Sequence, residues 1–210
     1  MVVIKLGGCN GSGKSSVARA LLEKYKMAPC EHKNGKPYVY GGNGPQGHRV
    51  FVLGRYETAC GGMDGISDKE ERLELVRRYA YDEVTGDKGI VFYEGLITGK
   101  TYGAMGALSD EPGQKGRWLY AFMDTPFEVC VERVKQRRYE AAMAKGLGIT
   151  EATAHQEALD AERTMRPTFK SIISTEQRAR AAGHPTIWLP HDKTPAQIVA
   201  VLMKRVGKML

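Results

Sequence analysis

The residues with the plainest chemistry stand near the start of the chain. Gly8-Cys9-Asn10-Gly11-Ser12-Gly13-Lys14-Ser15 fits the spacing G-x-x-x-x-G-K-[ST], in which glycines let backbone amides turn inward onto phosphate oxygens. The positive end of a helix beginning near Gly13 adds to that cradle. Lys14 is expected to reach the β- and γ-phosphates of a nucleoside triphosphate and the Ser15 hydroxyl to ligate Mg²⁺. Gly8, Asn10, Gly11, Ser12, Gly13 and Ser16 supply the rest of the loop's contacts. An apolar run before the loop and a helical pattern after it give the motif the context it needs.

Two carboxylates follow later strand-like runs. Asp64 lies in the loop Gly54-Arg55-Tyr56-Glu57-Thr58-Ala59-Cys60-Gly61-Gly62-Met63-Asp64-Gly65, flanked by glycines that permit close approach. It is expected to be the base that takes a proton from a hydroxyl acceptor, the competing account being a plain Asp-Gly turn. Glu94 directly follows the apolar residues 90–93, at the carboxyl edge of a sheet, where it can bind Mg²⁺ or orient the attacking oxygen, or simply bond a loop amide. Arg55, Tyr56 and Glu57 are candidate acceptor-binding residues, with Tyr56 a candidate stacking partner for a base; packing at the strand end is the alternative.

Cations gather further on. Arg133 and Arg137 are one helical turn apart and can bracket a transferring phosphoryl group, with Gly146 and Gly148 as hinges for a lid. Arg163, Arg166 and Lys170 are spaced as a helical stripe, joined by Arg178 and Arg180; this is either a footprint for a phosphate backbone or a solvated face.

These groups need elements to hold them. Strand signals at 2–6, 50–53, 90–93, 118–123 and 186–189 alternate with helical patterns, which predicts a three-layer α/β domain around a parallel sheet of about five strands. Helix starts are marked by Ser67 with Glu70, Thr125 with Glu128, and Thr194 with Gln197. The first helix is expected over 68–82, with Leu73, Val76 and Ala80 on one face; Ile198, Leu202 and Val206 form the face of the last. Residues 35–49 read as a glycine-rich hairpin arm over the acceptor site. Residues 133–182 read as a helical lid and basic insertion, broken near Arg166-Pro167.

At 210 residues the chain suits one domain. The formal charge of +7 exceeds what a triphosphate site requires and is consistent with a polyanionic second partner. The cysteines Cys9, Cys30, Cys60 and Cys130 lack C-x-x-C spacing, which disfavours zinc and a disulfide framework. No apolar run approaches membrane-spanning length and no signal-peptide layout opens the chain, so a cytoplasmic protein without a membrane partner is expected. The histidines show no metal-ligand spacing. Asp110-Glu111-Pro112-Gly113 matches a loose D-x-x-G, but no N-K-x-D guanine-reading motif accompanies it.

The phosphate loop, the strand ending Phe92-Tyr93-Glu94-Gly95-Leu96, and Asp124-Thr125-Pro126 leading into Glu132-Arg133-Val134-Lys135-Gln136-Arg137-Arg138 resemble the P-loop kinases of nucleosides, nucleotides and polynucleotides. Trp188-Leu189-Pro190-His191-Asp192 resembles the close of such folds, where the adenine rests. Within that group the loop holding Arg55, Tyr56, Glu57, Gly61, Gly62, Met63 and Asp64 is most similar to the bacteriophage 5-hydroxymethyluracil DNA kinases. The resemblance implies ATP and Mg²⁺ as cofactors, DNA containing 5-hydroxymethyluracil as acceptor, and a base lifted from its stack to meet Asp64. A kinase of free nucleosides or nucleoside monophosphates uses the same site and is the alternative. GTP in place of ATP stays open.

Overall fold

The computed structural model describes residues 1–57, 61–81, 89–95, 102–146 and 151–210, with the backbone alone at 151–159 and 161. The expected hinge at Gly148, the helix end at Asp82, Cys60 and the side chain of His155 lie outside the described residues.

Among them seven strands form one sheet: β1 (Val2–Gly7), β2 (Ala28–Lys33), β3 (Lys36–Asn43), β4 (Arg49–Leu53), β5 (Ile90–Glu94), β6 (Trp118–Asp124) and β7 (Thr186–Pro190). Their order is β2-β3-β4-β5-β1-β6-β7. The five strands from β4 to β7 are parallel and correspond to the five apolar runs. The other two, β2 and β3, are antiparallel additions at one edge. The helices are α1 (Lys14–Lys24), α2 (Lys69–Ala80), α3 (Gly103–Asp110), α4 (Phe127–Ala144), α5 (Glu151–Ala181) and α6 (Pro195–Val206).

Alternation along β1 divides the core. Val2, Ile4 and Leu6 face the layer of α1 and α6, while Val3 faces the layer containing α2, α3, α4 and α5. A fully buried side chain of this size contributes about 1.5–3 kcal/mol, so both faces of the sheet carry the fold. None of the helices among the described residues is long and apolar enough to cross a membrane.

Four expectations need correction. Residues 35–49 are not a separate hairpin arm: Gly41 and Gly42 continue β3, which pairs with β4, and Glu31 of β2 ties the edge to α2. Its carboxylate accepts from Tyr38 at 3.0 Å, from Arg78 at 2.5 Å and from Tyr79. The cap of α2 is Asp68 rather than Ser67, its carboxylate accepting the Glu71 N–H at 2.8 Å. Thr125 does not cap α4, because its hydroxyl donates instead to the Ser12 carbonyl at 3.0 Å. And α5 runs unbroken through Pro167. The lost N–H is tolerated because Met165 and Ile172, on either side of the proline, are both buried. Thr194 with Gln197 does form its reciprocal cap at the start of α6.

One buried charge stands out. Lys5, 1% exposed, sits in register with Tyr93 of β5 and Tyr120 of β6, its ammonium 5.0 Å from the centre of the Tyr120 ring. Burial lowers its pKa to about 7. The unfolded chain therefore binds a proton that the folded chain lacks between about pH 7 and 10.5, and stability contributed at this position rises with pH across that window. Lys5→Met is expected to stabilise the protein by about 1–3 kcal/mol at pH 7. Thermal melts should also show the variant's Tm rising less than the wild type's between pH 7 and 10.

Candidate active site

The sheet order reverses at β1, and a crevice opens beyond the carboxyl ends of the strands at such a point. Leu6 of β1 pairs with Glu94 of β5, so the phosphate loop emerges beside that carboxylate. Leu53 of β4 pairs with Tyr93, which brings out the Asp64 loop next to it. A cavity of about 460 Å³ results, lined by residues 10–16 of the loop together with Asp64, Glu94, Arg133 and Arg137. Lysine, serine, two carboxylates and two arginines expected from the sequence thus share one space. Gly8 lies just behind it, its carbonyl accepting from Lys14.

Lys14 is buried and donates to the carbonyls of Gly8 and Cys9 at 2.8 and 2.9 Å, folded back on its own loop. Burial lowers its pKa, while Glu94 and Asp64 pull the other way. Glu94 is 2% exposed and accepts the Ser15 hydroxyl at 2.9 Å. Burial raises its pKa to about 7, against the opposing pull of Lys14 and the Ser15 hydrogen bond. The buried Ser12 hydroxyl has no hydrogen-bond partner among the described residues. A lysine, a serine hydroxyl and a carboxylate meeting over glycine-turned backbone fit a triphosphate with a divalent cation: Ser15 and Glu94 are oxygen donors of the kind a hard cation takes, and Lys14 is a point charge for phosphate oxygens.

The neighbouring helix is fastened to the loop. Besides the Thr125 bond to Ser12, Arg133 donates to the Gly11 carbonyl at 3.3 Å. Cys9 and Cys130, far apart in sequence, meet here as free thiols, Cys9 donating to the Met165 carbonyl at 3.9 Å and Cys130 to the Thr125 carbonyl at 3.8 Å, and their closeness lowers the pKa of Cys9 and raises that of Cys130.

Asp64 occupies a short 3-10 turn, Met63–Gly65, exposed on the cavity wall. The turn is held from behind by Arg72, buried on α2, which donates to the Ile66 carbonyl at 2.8 Å. Its entry is fixed by paired backbone bonds between Arg55 and Gly62 at 3.0 and 2.6 Å. Gly62 has φ +86°, and a Cβ there would lie 2.4 Å from Glu94 Oε1. Only glycine lets this strand lie against the carboxylate.

Arg55, Tyr56 and Glu57 do not line this cavity. Tyr56, 7% exposed, donates to the Leu53 carbonyl at 3.3 Å, and its ring packs edge to face on Tyr40. Glu57 accepts the Tyr40 hydroxyl at 2.5 Å, and Gly65 lies against the Arg55 side chain. The cationic stripe on α5 is largely matched within its own helix: Arg163 by Asp160, Arg166 by Glu162 and Arg180 by Glu176. Arg166 also lies 5.0 Å over the Phe127 ring. Sequence reasoning missed Arg19, one turn beyond Ser15 on α1, and Lys193, Pro195 and Ile198; it assigned no role to His191. All five line the cavity. The i, i+4 spacing of Ser15 and Arg19 was the available signal.

A family model described as 5-hmdU DNA kinase matches residues 2–174. The chain belongs to the 5-hmdU DNA kinase family. A 5-hmdU DNA kinase of Pseudomonas phage PaMx11 is 31% identical over 192 residues, covering 90% of this chain and 91% of the relative. Another, from Delftia phage PhiW-14, is 27% identical over 209 residues, covering 90% and 68%. Among solved structures, a gluconokinase from Sinorhizobium meliloti 1021 superposes with a TM-score of 0.47 at 15% identity, over 99% of this chain and 93% of that one.

The contact between Gly62 and Glu94 yields a direct test. Gly62→Ala should cost well over about 1 kcal/mol of stability, since it adds a backbone conflict to a collision with a buried carboxylate. Gly35→Ala, at φ +71° with open space around it, should cost only the backbone part. Equal Tm losses for the two variants would mean that the carboxylate yields freely.

Proposed function

We infer that this protein transfers the γ-phosphoryl group of ATP to the hydroxymethyl oxygen of 5-hydroxymethyluracil in DNA. The observation that carries this reading is the meeting of Asp64 and Glu94 with Lys14 and Ser15 in one cavity, in a chain of the 5-hmdU DNA kinase family. The host cytoplasm of an infected cell, where ATP and DNA meet, is the compartment that suits it.

A divalent cation held in this cavity would supply positive charge that offsets what develops on the phosphates. Ser15 and Glu94 would hold it, directly or through water, as hard oxygen donors. Lys14 exchanges its two loop carbonyls for phosphate oxygens. Asp64 accepts the proton of the hydroxymethyl group as that oxygen bonds to the γ-phosphorus. The bridging P–O bond breaks and its electrons leave with ADP, in line with the attack. Arg133 and Arg137 neutralise the equatorial oxygens, and because Arg133 is also bonded to the phosphate loop, its guanidinium starts close to where that charge appears. Because the hydroxymethyl group is part of a stacked base, the acceptor nucleotide must swing out of the duplex to reach Asp64.

Radiolabelled ATP offered with 5-hydroxymethyluracil duplex, thymine duplex, and free 5-hydroxymethyldeoxyuridine and its monophosphate should label the first alone. Label confined to the free nucleoside or nucleotide would overturn the DNA assignment. Asp64→Asn should retain ATP binding by titration while kcat falls by about 10²–10⁴. Undiminished turnover would remove Asp64 from the proton transfer.

A further inference from the structure

A second cleft, of about 520 Å³, adjoins the phosphate cavity, and Arg19 lines both. One wall follows α1 to its end through Leu22, Lys26 and Met27. The other is Tyr40 of β3 with Tyr56 and Glu57 from the turn after β4. Leu22, Met27 and the two tyrosine rings, 5.9 Å apart between centres, make its surface mainly apolar. The Tyr40 hydroxyl, raised in pKa by burial and by Glu57, donates to that carboxylate and fixes it on the wall as a hydrogen-bond acceptor.

The mouth of the cleft holds a backbone oddity. The chain leaves α1 with the Met27 N–H bonded to the Leu22 carbonyl at 2.9 Å and the Lys26 N–H to that of Glu23 at 3.1 Å. This arrangement puts its penultimate residue in the left-handed region, and glycine is the usual occupant. Here it is Lys26, at φ +46°. A lysine there costs roughly 1–2 kcal/mol that glycine would not. Nothing in the helix end calls for its side chain, which is exposed on the cleft. Backbone strain of this kind persists where the side chain does something useful. Arg19 lies about 7 Å along α1 from its last residue, Lys24, at the 1.5 Å rise per residue, and Lys26 lies two residues beyond that end.

We propose that this cleft holds one nucleotide of the acceptor DNA strand adjacent to the base being phosphorylated. Its base lies against Leu22, Met27 and Tyr40, and its two flanking phosphates meet Arg19 and Lys26. The proposal rests on the reading of DNA as acceptor. Three features favour this occupant. The cleft and the cavity share Arg19 in their walls, which places the cleft beside the path of a strand with one nucleotide at Asp64. An apolar floor beside the fixed Glu57 carboxylate suits a base, whose face is apolar and whose amino group needs an acceptor. The two cations sit at separate points of the lining, which suits two discrete phosphates. A free nucleoside, lacking phosphates, would leave Lys26 with nothing to hold.

The test uses a 5-hydroxymethyluracil oligonucleotide and follows its KM against salt for the wild type, Lys26→Gly and Lys26→Gln. Lys26→Gly should melt no lower than the wild type, since the strain is released. Both variants should raise the oligonucleotide KM by about two- to fivefold. In both, the slope of log KM against log salt should shrink by roughly 0.7–0.9. The KM for ATP should stay at the wild-type value. Wild-type KM and salt slope in both variants would overturn the cleft while leaving the DNA reading intact. If the wild-type protein labels free nucleoside and no oligonucleotide, the DNA reading falls and the cleft falls with it.

Discussion

A lysine and a glutamate buried within reach of each other's charge set the terms for everything around them. Lys14 and Glu94 stand at the end of a parallel sheet whose strands are covered on both faces. Removing either from water favours its neutral form, and burial alone pushes the lysine down and the carboxyl up toward neutrality. Mutual attraction and hydrogen bonding oppose that drift: two loop carbonyls on the ammonium, the Ser15 hydroxyl on the carboxylate. A site so arranged is incomplete in energetic terms until anionic and cationic partners arrive, which is the state expected of a preorganised electrostatic site.

Much of the surrounding structure follows from that pair. Glycine is needed at position 62 because the Asp64 loop must lie flat against Glu94, and Arg72 is buried on α2 to hold the far side of the same loop. Thr125 gives up a helix cap to reach the Ser12 carbonyl. A cap is worth about 1 kcal/mol, and the hydroxyl is spent on the loop-to-helix contact in its place.

The parallel core and its carboxylates were legible because buried strands read as short apolar runs, and a charge just after such a run must be at the sheet edge. The antiparallel edge was hidden. β2 is Ala28-Pro29-Cys30-Glu31-His32-Lys33, largely exposed and without alternation, and the glycines of β3 resemble a loop. Gly42 is there because a Cβ would meet Met27 at 2.9 Å and the Tyr25 carbonyl at 3.0 Å, a tertiary reason that no local pattern encodes. The same holds for Tyr56: its position near a glycine loop suggested an accessible ring, whereas the Arg55–Gly62 pairing turns the chain so that the ring enters the core. Pro167 looked like a break because proline usually is one; burial on both sides of it decides otherwise.

The exposed margin of β2 also has a bearing on how the protein behaves in company. Its register with β3 slips twice, between Pro29 and Glu31 and between Glu31 and His32, and it ends in a lysine paired with Glu71. An outer strand that is bulged, interrupted by proline and laden with charge is a poor template for a stranger's backbone. The sheet is thereby closed to growth on that side, and two molecules brought close together have no ready means of zipping together there.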